Sequence, residues 1–199
     1  MKWTLILISM CLSCSVSSQV NASTISVPRY FVNLSKQSSV PADILYALAV
    51  KETNTRMNNR SVAPWPFTLN VKGIGYRYAN YDDMMLAVNG FLDRGTKSID
   101  IGLFQVNWYW HGHRVSSVEE LGNPVKNGLV AAEILLEHYL KYGDWSIAAG
   151  RYHNPANISG RADSYAAEYR KILHSIQSGS YQKKLNAKHL NKQKATAVK

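Results

Sequence analysis

Apolar residues recur at helical spacing along most of this chain and alternate at strand spacing in only one place. In PADILYALAVKETN, Leu45, Leu48, Ala49 and Glu52 fall at i, i+3, i+4 and i+7, the spacing of one helix face. Pro41 stands in the first turn, where its missing N–H is tolerated. A second helix is predicted from Tyr81 to Leu92, with Met85, Val88 and Leu92 on one side and Gly95 closing it. A third begins after Asn123, with Pro124 in its first turn, and Val125, Leu129, Ala132, Leu136 and Tyr139 on the apolar stripe. Gly143 ends it, and Asp144 caps a short helix through Gly150. The last helix covers Asp163 to Gln177, with Tyr165, Tyr169, Ile172 and Ile176 inward. Residues 55–64, rich in Asn and Arg, predict a loop. The following PWPFTLNVKGIGYRY holds two short β-favouring runs around a glycine turn, a hairpin pattern. The sum is an α+β domain, mainly α-helical, with one small β-hairpin and no internal repeats.

The ends of the chain differ from its middle. Lys2, an apolar run from Trp3 through Leu12, and small and polar residues up to Val20-Asn21-Ala22 have the layout of a secretory signal over residues 1–22. That run is short for a bilayer span, and no other stretch is long and apolar enough, so an exported, periplasmic protein without a transmembrane segment is expected. Cys11 and Cys14 both lie inside the signal, so the mature chain is expected to hold together by packing without disulfides. A lipidated Cys14 fits poorly, because Cys11 stands where a lipobox requires an aliphatic residue. Residues 23–39 are Ser-rich and read as a loose lead-in, with Tyr30 and Phe31 docking on the body. The domain proper then spans 40–178, and 179–199 is a basic flexible tail. The formal net charge is +10, and from Lys171 to Lys199 there is no Asp or Glu. Such a tail suits anionic polymers. The aromatic residues do not interleave with its lysines, which argues against nucleic acid as the partner.

Glu52 changes the picture most. A carboxylate on an apolar stripe loses hydration, which raises its pKa and keeps it protonated near neutral pH, the state a general acid needs. Between the second and third helices, SIDIGLFQVNWYWHGHR brings Gln105 and Asn107 together with Trp108, Tyr109, Trp110, His111 and His113. If this segment is extended, both amides point the same way. Paired amides beside aromatic faces suit a sugar, whose hydroxyls take hydrogen bonds while its apolar face stacks on rings.

Glu52 followed by Thr53, then GLFQVN at 102–107, then AAGRYHNP at 148–155, resembles the ordered motif set of the lytic transglycosylases, of the soluble type with a goose-type-lysozyme-like (SLT) domain. The hairpin segment and the GRYHNP ending resemble the subgroup associated with conjugation and envelope-spanning secretion systems. The resemblance covers about residues 40–175. Thr53 stands where the family usually has Ser, and Phe104 where Met is common. Thr53 keeps a hydroxyl able to bond the glutamate. The resemblance implies a lysozyme-like fold and peptidoglycan glycan strands as substrate. It also implies cleavage between N-acetylmuramic acid and N-acetylglucosamine to give 1,6-anhydro ends, with Glu52 as the catalytic acid and no cofactor. Gln105 and Asn107 are implied to orient the substrate, and Tyr152 to position Glu52 or the acetamido group. Components of a conjugation or secretion system are implied partners.

Two alternatives use the same fold. A muramidase of inverting type needs a second carboxylate to activate water, and Asp100 is the candidate, although a loop brace bonded to backbone explains it as well. A non-catalytic glycan-binding assembly protein would retain the groove but has no use for a desolvated acid. His111-Gly112-His113 is compact, yet HExxH and cysteine ligands are missing, so no metal is expected. His153 is expected to serve its own loop.

Overall fold

In a computed structural model, residues 27–56 and 62–187 are described. The expected signal with Cys11 and Cys14, and the lysines beyond 187, lie outside the described residues.

The chain enters as a helix, α1 (Arg29–Ser38), within the segment expected as a loose lead-in. Its local composition is polar, but Phe31 and Leu34, one turn apart, are both buried, and that pair suffices once a partner surface exists. The next helix, α2 (Ala42–Thr53), starts beyond Pro41, which caps it. Every residue from Ile44 to Val50 is buried. The expected apolar stripe therefore understates this helix, which is apolar all round and runs through the core.

After α2 the chain forms β1 (Asn54–Arg56), paired antiparallel with β2 (Val62–Pro64). The expected hairpin follows as β3 (Thr68–Val71) and β4 (Ile74–Arg77), in register Thr68↔Arg77 to Val71↔Ile74. Its two loop residues, Lys72 and Gly73, take φ of 53° and 81°, as a two-residue hairpin turn requires. The Asn70 side chain accepts the Gly73 N–H at 3.0 Å. Helix α3 (Tyr81–Asp93) is capped by Asn80, whose side chain accepts from Asp83 N. Two further strands, β5 (Ile99–Ile101) and β6 (Val106–Asn107), extend the hairpin into a sheet of order β4-β3-β5-β6. They are too short to show alternation, and burial of Ile99, Ile101 and Val106 is what holds them.

A single-turn helix α4 (Trp108–His111), a 3-10 turn (Gly112–Arg114) and α5 (Val118–Gly122) lead to the long α6 (Pro124–Tyr142). The Asn123 cap, Pro124 at the first turn and left-handed Gly143 stand as the sequence predicts. The buried face agrees in part, since Ala132 is buried and Leu129, Leu136 and Tyr139 pack half-buried against the core. Asn127, Gly128, Val130, Ala131, Ala132, Ile134 and Leu135 are inside, whereas Val125 is exposed. Small residues decide this orientation. A Cβ at Gly128 would lie 2.6 Å from the Tyr30 hydroxyl and 2.7 Å from Leu34, so only glycine lets α1 seat on α6. Tyr30 then donates to Pro124 O at 2.6 Å.

Helix α7 (Trp145–His153), capped by Asp144, and α8 (Arg161–Gln177) complete the body. A Cβ at Gly150 would stand 2.3 Å from Ala162 O, so α7 and α8 meet at backbone contact. Tyr169, fully buried on α8, donates to Ile44 O at 2.9 Å and ties α8 to α2. The basic segment placed from 179 onward begins with a helical stretch over 180–187, whose Tyr181 ring meets Tyr46 edge-on at 5.9 Å. Among the described residues no helix is long and apolar enough to cross a membrane. The architecture is a mainly helical α+β body around α2 with a four-stranded antiparallel sheet at one side.

Candidate active site

Glu52 lies in the last turn of α2, partly buried among groups from three other elements. Burial pushes its carboxyl up to about 7. The Tyr165 hydrogen bond and the Lys51 charge work against that rise, and the neighbouring Asp100 adds to it. The Tyr165 hydroxyl donates to Glu52 Oε1 at 2.5 Å. Burial beside Glu52 holds this phenol well above its ordinary value, so it remains a donor at any working pH. The Tyr165 ring is itself fixed. His153 stacks on it at 4.6 Å and 15°, and Lys51 Nζ stands 4.8 Å from its centroid while pairing with Glu168 at 2.8 Å. His153, expected to serve its loop, thus buttresses the partner of the acid.

Replacing Tyr165 with Phe removes the bond that lowers the Glu52 pKa. The alkaline limb of the pH–rate profile is expected to move to higher pH, with the maximal rate down about tenfold from lost positioning. A profile identical to that of the wild type shows that the bond does not act on the acid.

The 102–107 segment, bonded to the Glu52 helix through Thr53, is not the extended strand the sequence suggested through Gln105. Residues 102–105 make a tight turn, with Gly102 at φ 82°, Gln105 at φ 51°, and Gln105 N bonded to Gly102 O at 3.2 Å. Gln105 and Asn107 are therefore not presented side by side by strand alternation. Gln105 Nε2 donates to Thr68 Oγ1 at 3.0 Å and Gly102 O at 2.9 Å, bracing the turn against β3. Asn107 Nδ2 donates to Asp100 Oδ1 at 2.7 Å and Ser98 Oγ at 3.1 Å, while its oxygen accepts the Trp110 N–H at 3.3 Å. Asp100 sits on β5 opposite Asn107, and burial raises its carboxyl, against the Asn107 bond and the His153 charge that lower it.

Thr53 is buried, with its hydroxyl 3.1 Å from Ala49 O and 2.9 Å from Leu103 O, so it links the acid's helix to the turn. Tyr152 donates to Phe104 O at 2.8 Å and pins the same turn from α7. Its phenol too is driven well above 10, chiefly by burial, with the charges of Glu52 and Asp100 adding. Thr53, Gln105 and Tyr152 thus converge on this turn, while Asp100 reaches Glu52 through its charge and Asn107 is bonded to Asp100.

Two residues went unassigned in the sequence. Tyr165 was read as an inward-facing core residue. A signal existed, since a tyrosine on an inward stripe needs a partner for its hydroxyl. Asn127 was missed entirely. Fully buried in α6, it accepts the Phe104 N–H at 3.0 Å and donates to Ile101 O and Leu121 O at 2.9 and 3.2 Å. Gly102 lies against it so closely that a Cβ would fall 2.8 Å from its amide. Asn127 is the peg on which the turn hangs. His111 and His113 lie away from the acid, beside Arg114, whose guanidinium reaches Glu133 at 2.6 Å and forks onto Glu137 at 2.7 and 2.9 Å. Among the described residues no group of three or more His, Cys, Asp or Glu side chains is placed to hold a metal ion.

No curated protein and no solved structure matches the chain. A family model does, described as the Transglycosylase SLT domain, over residues 29–175, from the first residue of α1 to near the end of α8. With that match spanning most of its length, the chain belongs to the Transglycosylase SLT domain family, the lytic-transglycosylase type of domain that acts on peptidoglycan.

Proposed function

We propose that the protein is an exported, periplasmic lytic transglycosylase that cuts the β-1,4 bond between N-acetylmuramic acid and N-acetylglucosamine and leaves 1,6-anhydromuramic ends. The observation that carries this reading is the desolvated carboxyl of Glu52, poised at about 7 and held by a neutral donor, Tyr165. Protonated Glu52 delivers its proton to the glycosidic oxygen as the C1–O bond breaks. The substrate's 2-acetamido carbonyl stabilises the developing cation at C1. Glu52, now a carboxylate, takes the proton of the 6-hydroxyl of the same sugar as that oxygen bonds to C1. No water enters, and Glu52 ends protonated as it began. The chemistry calls for no cofactor. Thr53, Gln105, Asn107 and Tyr152 serve substrate binding by fixing the 102–107 wall against which the strand lies. The resemblance of the hairpin segment and the GRYHNP ending to the conjugation- and secretion-associated subgroup supports a role beside such an apparatus, whose assembly needs a local opening in the wall.

The test is digestion of purified sacculi followed by mass analysis of the new ends. Anhydro ends, one water lighter than reducing ends, support the proposal, and reducing ends refute it. Asp100 supplies the specific observation behind a hydrolase reading, because its charge is felt at Glu52. As a brace for Asn107, Asp100 changed to Asn is expected to slow cleavage only a few-fold and to leave anhydro ends as the sole product. A fall of about a hundredfold or more, with the melting curve unchanged, makes Asp100 a base and favours a muramidase.

A further inference from the structure

Trp110 and Tyr109 are 66% and 58% exposed, the only aromatic side chains among the described residues in that class. They stand together on α4 with ring centroids 4.8 Å apart and planes at 83°, so the two rings form an open corner. Large rings left in water usually have a use, since hiding them is favourable. Here they are not at a mobile tip. Beneath them Trp108 packs so tightly that a Cβ on Gly112 would lie 2.9 Å from its ring. On one side the Trp110 N–H is held by Asn107, and on the other Arg114 forks onto Glu137 of α6.

The corner is also continuous with the candidate active site. Asn107 holds Trp110 with its oxygen and Asp100 with its nitrogen, and Asp100 is a neighbour of Glu52 in charge. A chain of contacts therefore runs from Glu52, through the Asp100 carboxylate and the Asn107 amide, to the backbone of the helix that carries the two exposed rings. Polar groups near the reacting bond and flat apolar faces farther out match a glycan strand, whose pyranose rings alternate polar rims with apolar C–H faces.

We propose that Tyr109 and Trp110 form a distal stacking subsite for the same glycan strand that is cut at Glu52, binding a sugar beyond those at the scissile bond. This rests on the glycan-cleaving reading above. Its contribution is to select long strands over short ones. A protein partner could also use exposed rings, but the continuity with Asn107 and Asp100 favours the strand.

The test uses the full mature chain carrying Glu52→Gln, so that ligand survives, with and without Trp110→Ala, Trp110→Leu or Trp110→Phe. The probes are peptide-free strands of alternating N-acetylglucosamine and N-acetylmuramic acid of graded length, with affinity measured by calorimetry. The Ala and Leu variants are expected to lose roughly three- to tenfold in affinity, the range of an aromatic contact. The loss should grow with strand length to a plateau, and Phe should restore most of it. Equal loss at every length, or no loss at any, overturns the subsite. Normal strand binding combined with a defect only in living cells also overturns it, in favour of a protein contact. If the Glu52→Gln chain binds no strand of any length, the underlying glycan reading fails instead, a result distinguishable from failure of the subsite alone.

Discussion

With Glu52 replaced by Gln, release of muropeptides from purified sacculi falls by at least about a hundredfold, the loss expected when a general acid has no proton to give. Gln keeps the shape of the side chain and an oxygen to accept the Tyr165 hydroxyl, so the fold survives. The same substitution also stabilises the protein, in a pH-dependent way. The Glu52 carboxyl is raised in the folded chain to about 7 from an ordinary 4.5. Below the ordinary value it is neutral in both folded and unfolded chains and costs nothing. As pH rises toward 7, the unfolded chain gains from ionising while the folded one cannot, and stability is lost. Above 7 the penalty is constant, on the order of 3 kcal/mol. Melting curves of the two proteins should coincide near pH 4, separate as pH rises, and keep a fixed gap above neutrality, with the inactive variant the more stable. A variant that is inactive but melts like the wild type at pH 8 indicates that Glu52 is not desolvated, and a variant that stays active removes Glu52 as the acid.

Replacing Asn127 with Leu is expected to be the most damaging single change away from the acid. Leu fills the space but leaves Phe104 N–H, Ile101 O and Leu121 O without the partner that Asn127 gives each of them. Each buried orphan costs about 1–3 kcal/mol, partly offset by the added apolar contact, so the net loss is about 3–5 kcal/mol. A chain of this size should melt roughly ten degrees lower. Cleavage should fall well beyond what the melting curve explains at assay temperature, because the 102–105 turn is displaced from Glu52. A shift of only two or three degrees would show that the backbone groups find other partners.

Two of the caps and the apolar setting of Glu52 were legible in the sequence because both are local. Asn123 and Asp144 each reach backbone N–H groups within three residues, and Glu52 betrays itself by the company of Leu45, Leu48 and Ala49 one and two turns back. What escaped depends on contacts far along the chain. The helix at Arg29–Ser38 exists because Gly128, nearly a hundred residues later, leaves room for it. The α6 face is set by the elements around it, so the Val125–Tyr139 stripe gave the helix and one edge of its buried face but not the Asn127, Gly128 and Ala131 side. The turn at 102–105 looked extended because its positive-φ residues are a Gly and a Gln, and nothing local announces the second. Tyr165 and Glu52 are 113 positions apart, a pairing that no periodicity contains.

The burial of α2 on every side has a consequence for how this enzyme fails. Helices with a wet face can fray or open in part, exchanging their amide hydrogens while the rest of the molecule holds. From Ile44 to Val50 there is no such face, and Tyr169 is bonded to the helix's first turn. Glu52, two residues beyond this segment and bonded to Tyr165, is therefore expected to stay in place until the body opens. Its amide neighbours should exchange only when the whole molecule unravels. Thermal inactivation and loss of tertiary structure should then trace a single curve, with no dead but folded species between them.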